Sequence, residues 1–259
     1  MLLEGMAIRA VERITGICKD TLCDLVLRVG ECCERFFAAT VRDLKVDDVQ
    51  CDEIHSFVGM RDRIRMLKNA SPECGDSWTW IAIERDTKMV LAFQVGDRHS
   101  SEASRFFRKL NDATTGHFQI STDGLGIYRT KVPETFGTRV DFGMLIKSFT
   151  GMQHTIRYAP GTIVAAEKRS ISGCPDHARI CTSHIESFNQ KFRAHLKRFA
   201  RLTAAHSKSV KHHEAMQAIY FCFYNWCRKH ETIKMTPAQA TGISDKQWTI
   251  LELLVKVAA

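Results

Sequence analysis

Between residues 182 and 201 apolar side chains recur every three or four positions: Ile185, Phe188, Phe192, Leu196 and Phe199. On a 3.6-residue helix they form one stripe, so the spacing predicts a helix with that face on a core. Thr182 or Ser183 supplies an N-cap oxygen, and Glu186 follows Ser183 at the spacing of a capping box. Glu186, Asn189, Arg193 and Lys197 lie along one flank of the stripe, which sets an acid beside a basic track. A capping Glu followed by a solvated charged face is the plain reading of that flank.

Towards the N-terminus Ile8, Val11 and Ile14 mark a short helix that Thr15-Gly16-Ile17 breaks. A second amphipathic helix begins at Asp20 or Thr21 and carries Leu22, Leu25, Val26 and Val29. Two helices around a Gly-containing turn predict a helix-turn-helix segment over residues 1–40, cut short at its start because only Leu2-Leu3-Glu4 precede it. Lys19 would face a major groove and Arg9, Arg13 and Arg28 would meet phosphates, although such pairs also serve as packing units.

The pattern changes to strand alternation at 46–58, so the second domain is placed at 41–259. A polar, basic excursion over 59–75 leads to strands at 78–84 and 89–95, joined by a hairpin turn at 85–88. A helix at 101–110, a strand at 118–122, a helical segment from Leu125 and a strand at 139–146 follow. The expected fold class is α/β, a mixed five-stranded sheet flanked by helices with the short helix-turn-helix in front.

Charge and cysteine content narrow the function. The 259 residues carry 37 Lys and Arg against 29 Asp and Glu, a formal charge of +8, and this favours a polyanionic partner. No apolar run is long enough for a membrane span and no signal-peptide pattern opens the chain, so a cytoplasmic protein without a membrane partner is expected. The ten cysteines include no Cys-x-x-Cys pair, and no disulfides are expected. Cys174, His177, Cys181 and His184 do form a compact Cys-x2-His-x3-Cys-x2-His array that resembles a structural zinc site, although Pro175-Asp176 marks a turn inside it. Cys222, Cys227 and His230 lie on an aromatic helix and read as core.

Three carboxylates fall where the elements concentrate them: Asp52 inside the first strand, Asp123 just after the fourth, and Glu186 at the start of the striped helix. If the first and fourth strands are neighbours, the two aspartates emerge together. Charge in a central strand is costly unless compensated, and a divalent cation is the obvious compensation. Acids around one or two Mg²⁺ ions can generate a hydroxide-like nucleophile and clamp the attacking and leaving oxygens of a phosphodiester. Glu53 is the competing strand acid, and alternation sends it to the opposite face. His55 and His184 lie near two of the acids and could orient a phosphate.

The segments Cys51-Asp52-Glu53-Ile54-His55-Ser56-Phe57-Val58, Trp78-Thr79-Trp80-Ile81-Ala82-Ile83, Val95-Gly96-Asp97-Arg98, Ser121-Thr122-Asp123-Gly124 and His184-Ile185-Glu186-Ser187-Phe188-Asn189 occur in an order that resembles bacterial insertion-sequence transposases with a DDE triad. The likeness is to the insertion sequence one family and continues through Tyr224-Asn225-Trp226-Cys227-Arg228-Lys229-His230 and Thr236-Pro237-Ala238, nearly the whole chain. The resemblance implies a ribonuclease H-like catalytic domain that nicks double-stranded DNA at transposon ends and joins the freed 3′-hydroxyl to a target. Asp52, Asp123 and Glu186 match the triad that binds Mg²⁺ or Mn²⁺, two ions in all. Lys19, Arg28, Asn189, Arg193, Lys197, Arg198 and Arg201 are the expected DNA contacts. A homo-oligomer assembled on DNA and association with the nucleoid are also implied. The stretch at 158–177, rich in Gly, Pro and basic residues, reads as an insertion. Two other functions fit the same residues: a DNA-binding regulator without activity, and a ribonuclease H-like nuclease without strand transfer.

Overall fold

The computed structural model describes residues 1–149, 163–201 and 203–259. Chain order runs α1 (Ile8–Thr15), α2 (Lys19–Thr40), β1 (Leu44–Lys45), β2 (Asp48–Val58), α3 (Asp62–Lys68), β3 (Gly75–Glu84), β4 (Val90–Gly96), α4 (Ser100–Ala113), β5 (Thr114–Thr115) and β6 (Phe118–Thr122). It continues with α5 (Gly126–Phe136), β7 (Val140–Phe149), β8 (Ile163–Ser172), α6 (Ser183–His195), α7 (Val210–Cys222), α8 (Pro237–Ala240) and α9 (Ile250–Ala258).

The main sheet is mixed and six-stranded, in the order β4-β3-β2-β6-β7-β8. β2, β3 and β4 form an antiparallel meander, while β6 runs parallel to β2 on its other side and β7 parallel to β6. The first and fourth strands expected from the sequence are therefore neighbours. β1 and β5 form a separate short parallel pair.

A five-stranded sheet was the expectation, and β8 is the added member, antiparallel to β7 with Lys168 opposite Leu145. Side chains from Ile163 to Ser170 are exposed on both faces of β8, so no burial pattern selects alternation there. Part of the stretch read as an insertion is thus a strand, and its residues 158–162 lie outside the described residues. The basic excursion at 59–75 contains the helix α3.

Side chains of β2 and β3 bury both sheet faces under helices. On one face Trp80 packs against Phe106 of α4 and Tyr128 of α5, with ring centroids 6.2 and 5.6 Å away. On the other, Phe93, which pairs with Ile81, meets Phe37 of α2 at 5.2 Å and Phe221 of α7 at 4.5 Å. Alternation along β2 therefore decides which helices each of its residues meets.

The second helix of the expected helix-turn-helix runs unbroken from Lys19 to Thr40. Val26, Cys33 and Phe37 join the common core, and a Cβ on Gly30 would lie 2.4 Å from that of Ala215, so Gly30 lets the α2 and α7 backbones approach. The boundary expected after Thr40 thus cuts across the packing of α2 on α7.

All five stripe residues of the 182–201 segment are buried, four in or just after α6 and Phe199 in a following 3₁₀ turn. The capping box is absent: Thr182 is the N-cap, and its hydroxyl donates to Glu186 Oε1 at 2.6 Å instead of accepting from the helix backbone. No helix among the described residues is long and apolar enough to cross a membrane.

Candidate active site

β2 extends beyond the end of β6. The pairing stops at Cys51 opposite Thr122, so Asp52 and Glu53 have no β6 neighbour and the chain turns away at Asp123. That turn is fixed by the Leu125 N–H, which donates to Asp123 Oδ1 at 3.0 Å. The notch beyond the strand end is open to side chains from both sheet faces.

Into it come Asp52, Glu53 and Asp123, each with an oxygen within 4.8 Å of the others. Alternation does send Asp52 and Glu53 to different faces. Asp52 Oδ2 accepts from Asn189 Nδ2 of α6 at 2.8 Å, and Oδ1 accepts from the Glu53 N–H at 2.8 Å. Glu53 Oε2 accepts from the Tyr128 hydroxyl of α5 at 2.6 Å, and Oε1 takes Arg98 Nε at 2.7 Å. The Arg98 guanidinium also lies 4.6 Å from the Trp78 ring.

Burial raises the Asp52 carboxyl to about 7, and the charges of Glu53, Asp123 and, more weakly, Glu186 push the same way. Burial likewise raises Glu53, against the opposing pull of Tyr128 and Arg98. Both shifts report buried carboxylates, crowded by like charge in the case of Asp52 and partly relieved by Arg98 in the case of Glu53.

The expected trio of Asp52, Asp123 and Glu186 is therefore not the set that converges. Glu53 takes the third place. Glu186 stands outside, its Oε1 held by Lys147 of β7 and by Thr182. Asn189, expected to contact DNA, is 6% exposed and serves Asp52, while its own Oδ1 is buried without a donor among the described residues. Its position one helical turn after Glu186 was the available signal.

The basic candidates divide by environment. Lys197 and Arg201 are exposed at and beyond the end of α6, and Arg28 is exposed on α2. Arg193 is half-buried, its pKa lowered by burial and by Arg201. Lys19, at the start of α2, pairs with Asp20 at 2.5 Å. Arg198 is committed internally: Nη1 donates to His212 O at 2.8 Å and Ser207 Oγ at 3.2 Å, and burial lowers its pKa to about 10.

The zinc-like array does not gather among the described residues. His177 Nε2 lies 2.7 Å from Ser170 Oγ, Gln50 Nε2 donates to Cys181 Sγ at 3.0 Å, and His184 Nδ1 is 3.2 Å from Lys88 Nζ. His55 is likewise engaged elsewhere, with Nε2 3.2 Å from Asp76 Oδ1.

An all-oxygen donor set with a surplus of negative charge suits a hard divalent cation, and the unpartnered Asn189 Oδ1 offers one more acceptor beside it. No family model matches the chain, and no curated protein matches it.

Proposed function

We propose that the chain is a DNA transposase of ribonuclease H-like fold, in which Asp52 and Asp123 hold Mg²⁺ or Mn²⁺ for strand cleavage and joining. The observation that carries this reading is the meeting of Asp52, Glu53 and Asp123 at the open end of β6. A meander of three strands followed by two parallel ones, with Asp52 inside the first strand just past its last pairing with the fourth and Asp123 just after the fourth, supports the ribonuclease H-like assignment. The chain's positive charge supports a nucleic-acid substrate over a small phosphoester. The α1–α2 pair, joined through Gly16 in the left-handed region, is read as a DNA-contacting helix-turn-helix.

Asp52 and Asp123 would bind the cation, with Glu53 and Glu186 at its margins. When bound, a divalent cation polarises the phosphodiester and activates the attacking hydroxyl. Asn189 orients Asp52 before substrate arrives, and the Leu125 N–H does the same for Asp123. Lys197 and Arg201 supply phosphate contacts along the outer end of α6 without reading sequence.

Incubation with Mg²⁺, a duplex ending in a free 3′-hydroxyl and a target plasmid tests the proposal. Joined products are expected. Cleavage without joining would make the protein a nuclease, and DNA binding with neither would leave only the regulator reading.

A further inference from the structure

Lys147 sits on β7 three residues past Met144, whose partner on β6 is Thr122, the residue before Asp123. Its neighbour Ile146 flanks the Asp123 turn: a Cβ on Gly124 would be 3.6 Å from Ile146 Cγ2. The Lys147 ammonium is bound to Glu186 Oε1 and lies 3.4 Å from Thr182 Oγ1. Glu186, near enough for its charge to add to the upward shift of Asp52, is held through the one oxygen that Thr182 also contacts.

The Glu186 side chain is 47% exposed and that of Lys147 23%, so water reaches the pair and the attraction between them is screened. Arg98, by contrast, is fixed on Glu53 by two nitrogens and on the Trp78 ring. Lysine is a flexible point charge with rotatable donors, suited to following a phosphate oxygen. A cation at Asp52 and Asp123 attracts Glu186, while a DNA phosphate brought to the same place attracts the ammonium.

On the reading of the acids given above, we infer that Lys147 is a phosphate-binding residue of the reaction. It holds Glu186 in the free protein, then passes to a non-bridging oxygen of the DNA phosphate at the acids, which frees the Glu186 carboxylate for the cation. No bond is made or broken in the exchange. Lys147 thus couples arrival of DNA to completion of the carboxylate set.

The test compares wild type, Lys147→Met and Lys147→Arg by two measurements: Mn²⁺ titration calorimetry without DNA, and Mg²⁺-dependent cleavage of duplex DNA. For Lys147→Met, Mn²⁺ affinity should rise roughly fivefold or more, because the competitor for Glu186 is gone. Cleavage by the same variant should fall roughly tenfold or more, and Lys147→Arg should restore most of it. A purely structural lysine would lower both or neither, and either pattern overturns the inference. A wild-type protein that neither binds Mn²⁺ nor cleaves DNA would instead refute the reading of the acids, and the exchange with it.

Discussion

Asn189 Nδ2 donates to Asp52 Oδ2 at 2.8 Å, which ties α6 to the middle of β2. Through this bond the buried stripe of α6 has a chemical consequence: packing Phe188 and Phe192 against Phe221 sets the position of Asn189, and Asn189 sets the Asp52 carboxylate. Asp52 then depends on α6 through a neutral donor, while the charged Glu186 on the same helix is turned to Lys147.

Asn189→Ala should accordingly lower metal-dependent DNA cleavage by about 10–100-fold, the usual cost of losing a residue that orients a metal ligand. DNA affinity measured without divalent cations should stay near wild type, because the side chain is buried. A parallel loss of binding would show that Asn189 contacts DNA directly.

The basic residues after α6 should separate in the same kind of comparison. Replacing Lys197 and Arg201 together by Ala should weaken binding to unrelated duplexes alike, and reduce the slope of log affinity against log salt by about 2. Arg198→Ala should act on folding, since it strips partners from His212 O and Ser207 Oγ; a loss of about 1–3 kcal/mol is expected in urea denaturation. A salt-slope change with unaltered stability in Arg198→Ala would place that guanidinium on DNA.

The stripe of α6 was legible because it buries one helix face at period 3.6, and β6 because Phe118 and Ile120 alternate with Gln119 and Ser121. The adjacency of Asp52 and Asp123 followed once β2 and β6 were taken as neighbours. The role of Glu53 was hidden, because alternation places it on the far face. Glu186 carried two meanings in sequence, a cap and a ligand, and the structure pairs it with Lys147, from a strand that no local pattern links to it. The two-sided exposure of β8 removed the one signal by which a strand declares itself.

A buried chain of hydrogen bonds gives a pH prediction. Arg198 donates to Ser207 Oγ, which leaves the Ser207 hydroxyl to donate to His213 Nδ1 at 2.8 Å. The Ser56 hydroxyl is used on Ser77 O, so Ser56 Oγ accepts from His213 Nε2 at 3.0 Å and the ring is neutral. Burial, and secondarily Arg198, lower His213 to about 3. Its unfolded value is about 6.5, so between these limits the unfolded chain binds the extra proton. The stability that wild type holds over His213→Gln should be complete above about pH 6.5 and shrink on acidification, by up to about 1.4 kcal/mol per pH unit. Urea denaturation at pH 7.5, 6.5 and 5.5 checks the sign, and an advantage that grows as pH falls would mean a charged His213.

The most direct test of the metal-centre account is Mg²⁺-dependent strand cleavage by Asp52→Asn and Asp123→Asn, with DNA binding measured alongside. Each amide keeps the size of the side chain and removes the charge that holds a hard cation. The account predicts that both variants lose cleavage while binding DNA as well as wild type or slightly better, since a negative charge near the phosphate path is gone. Cleavage that survives in either variant, or that proceeds in wild type with every divalent cation chelated, would contradict it.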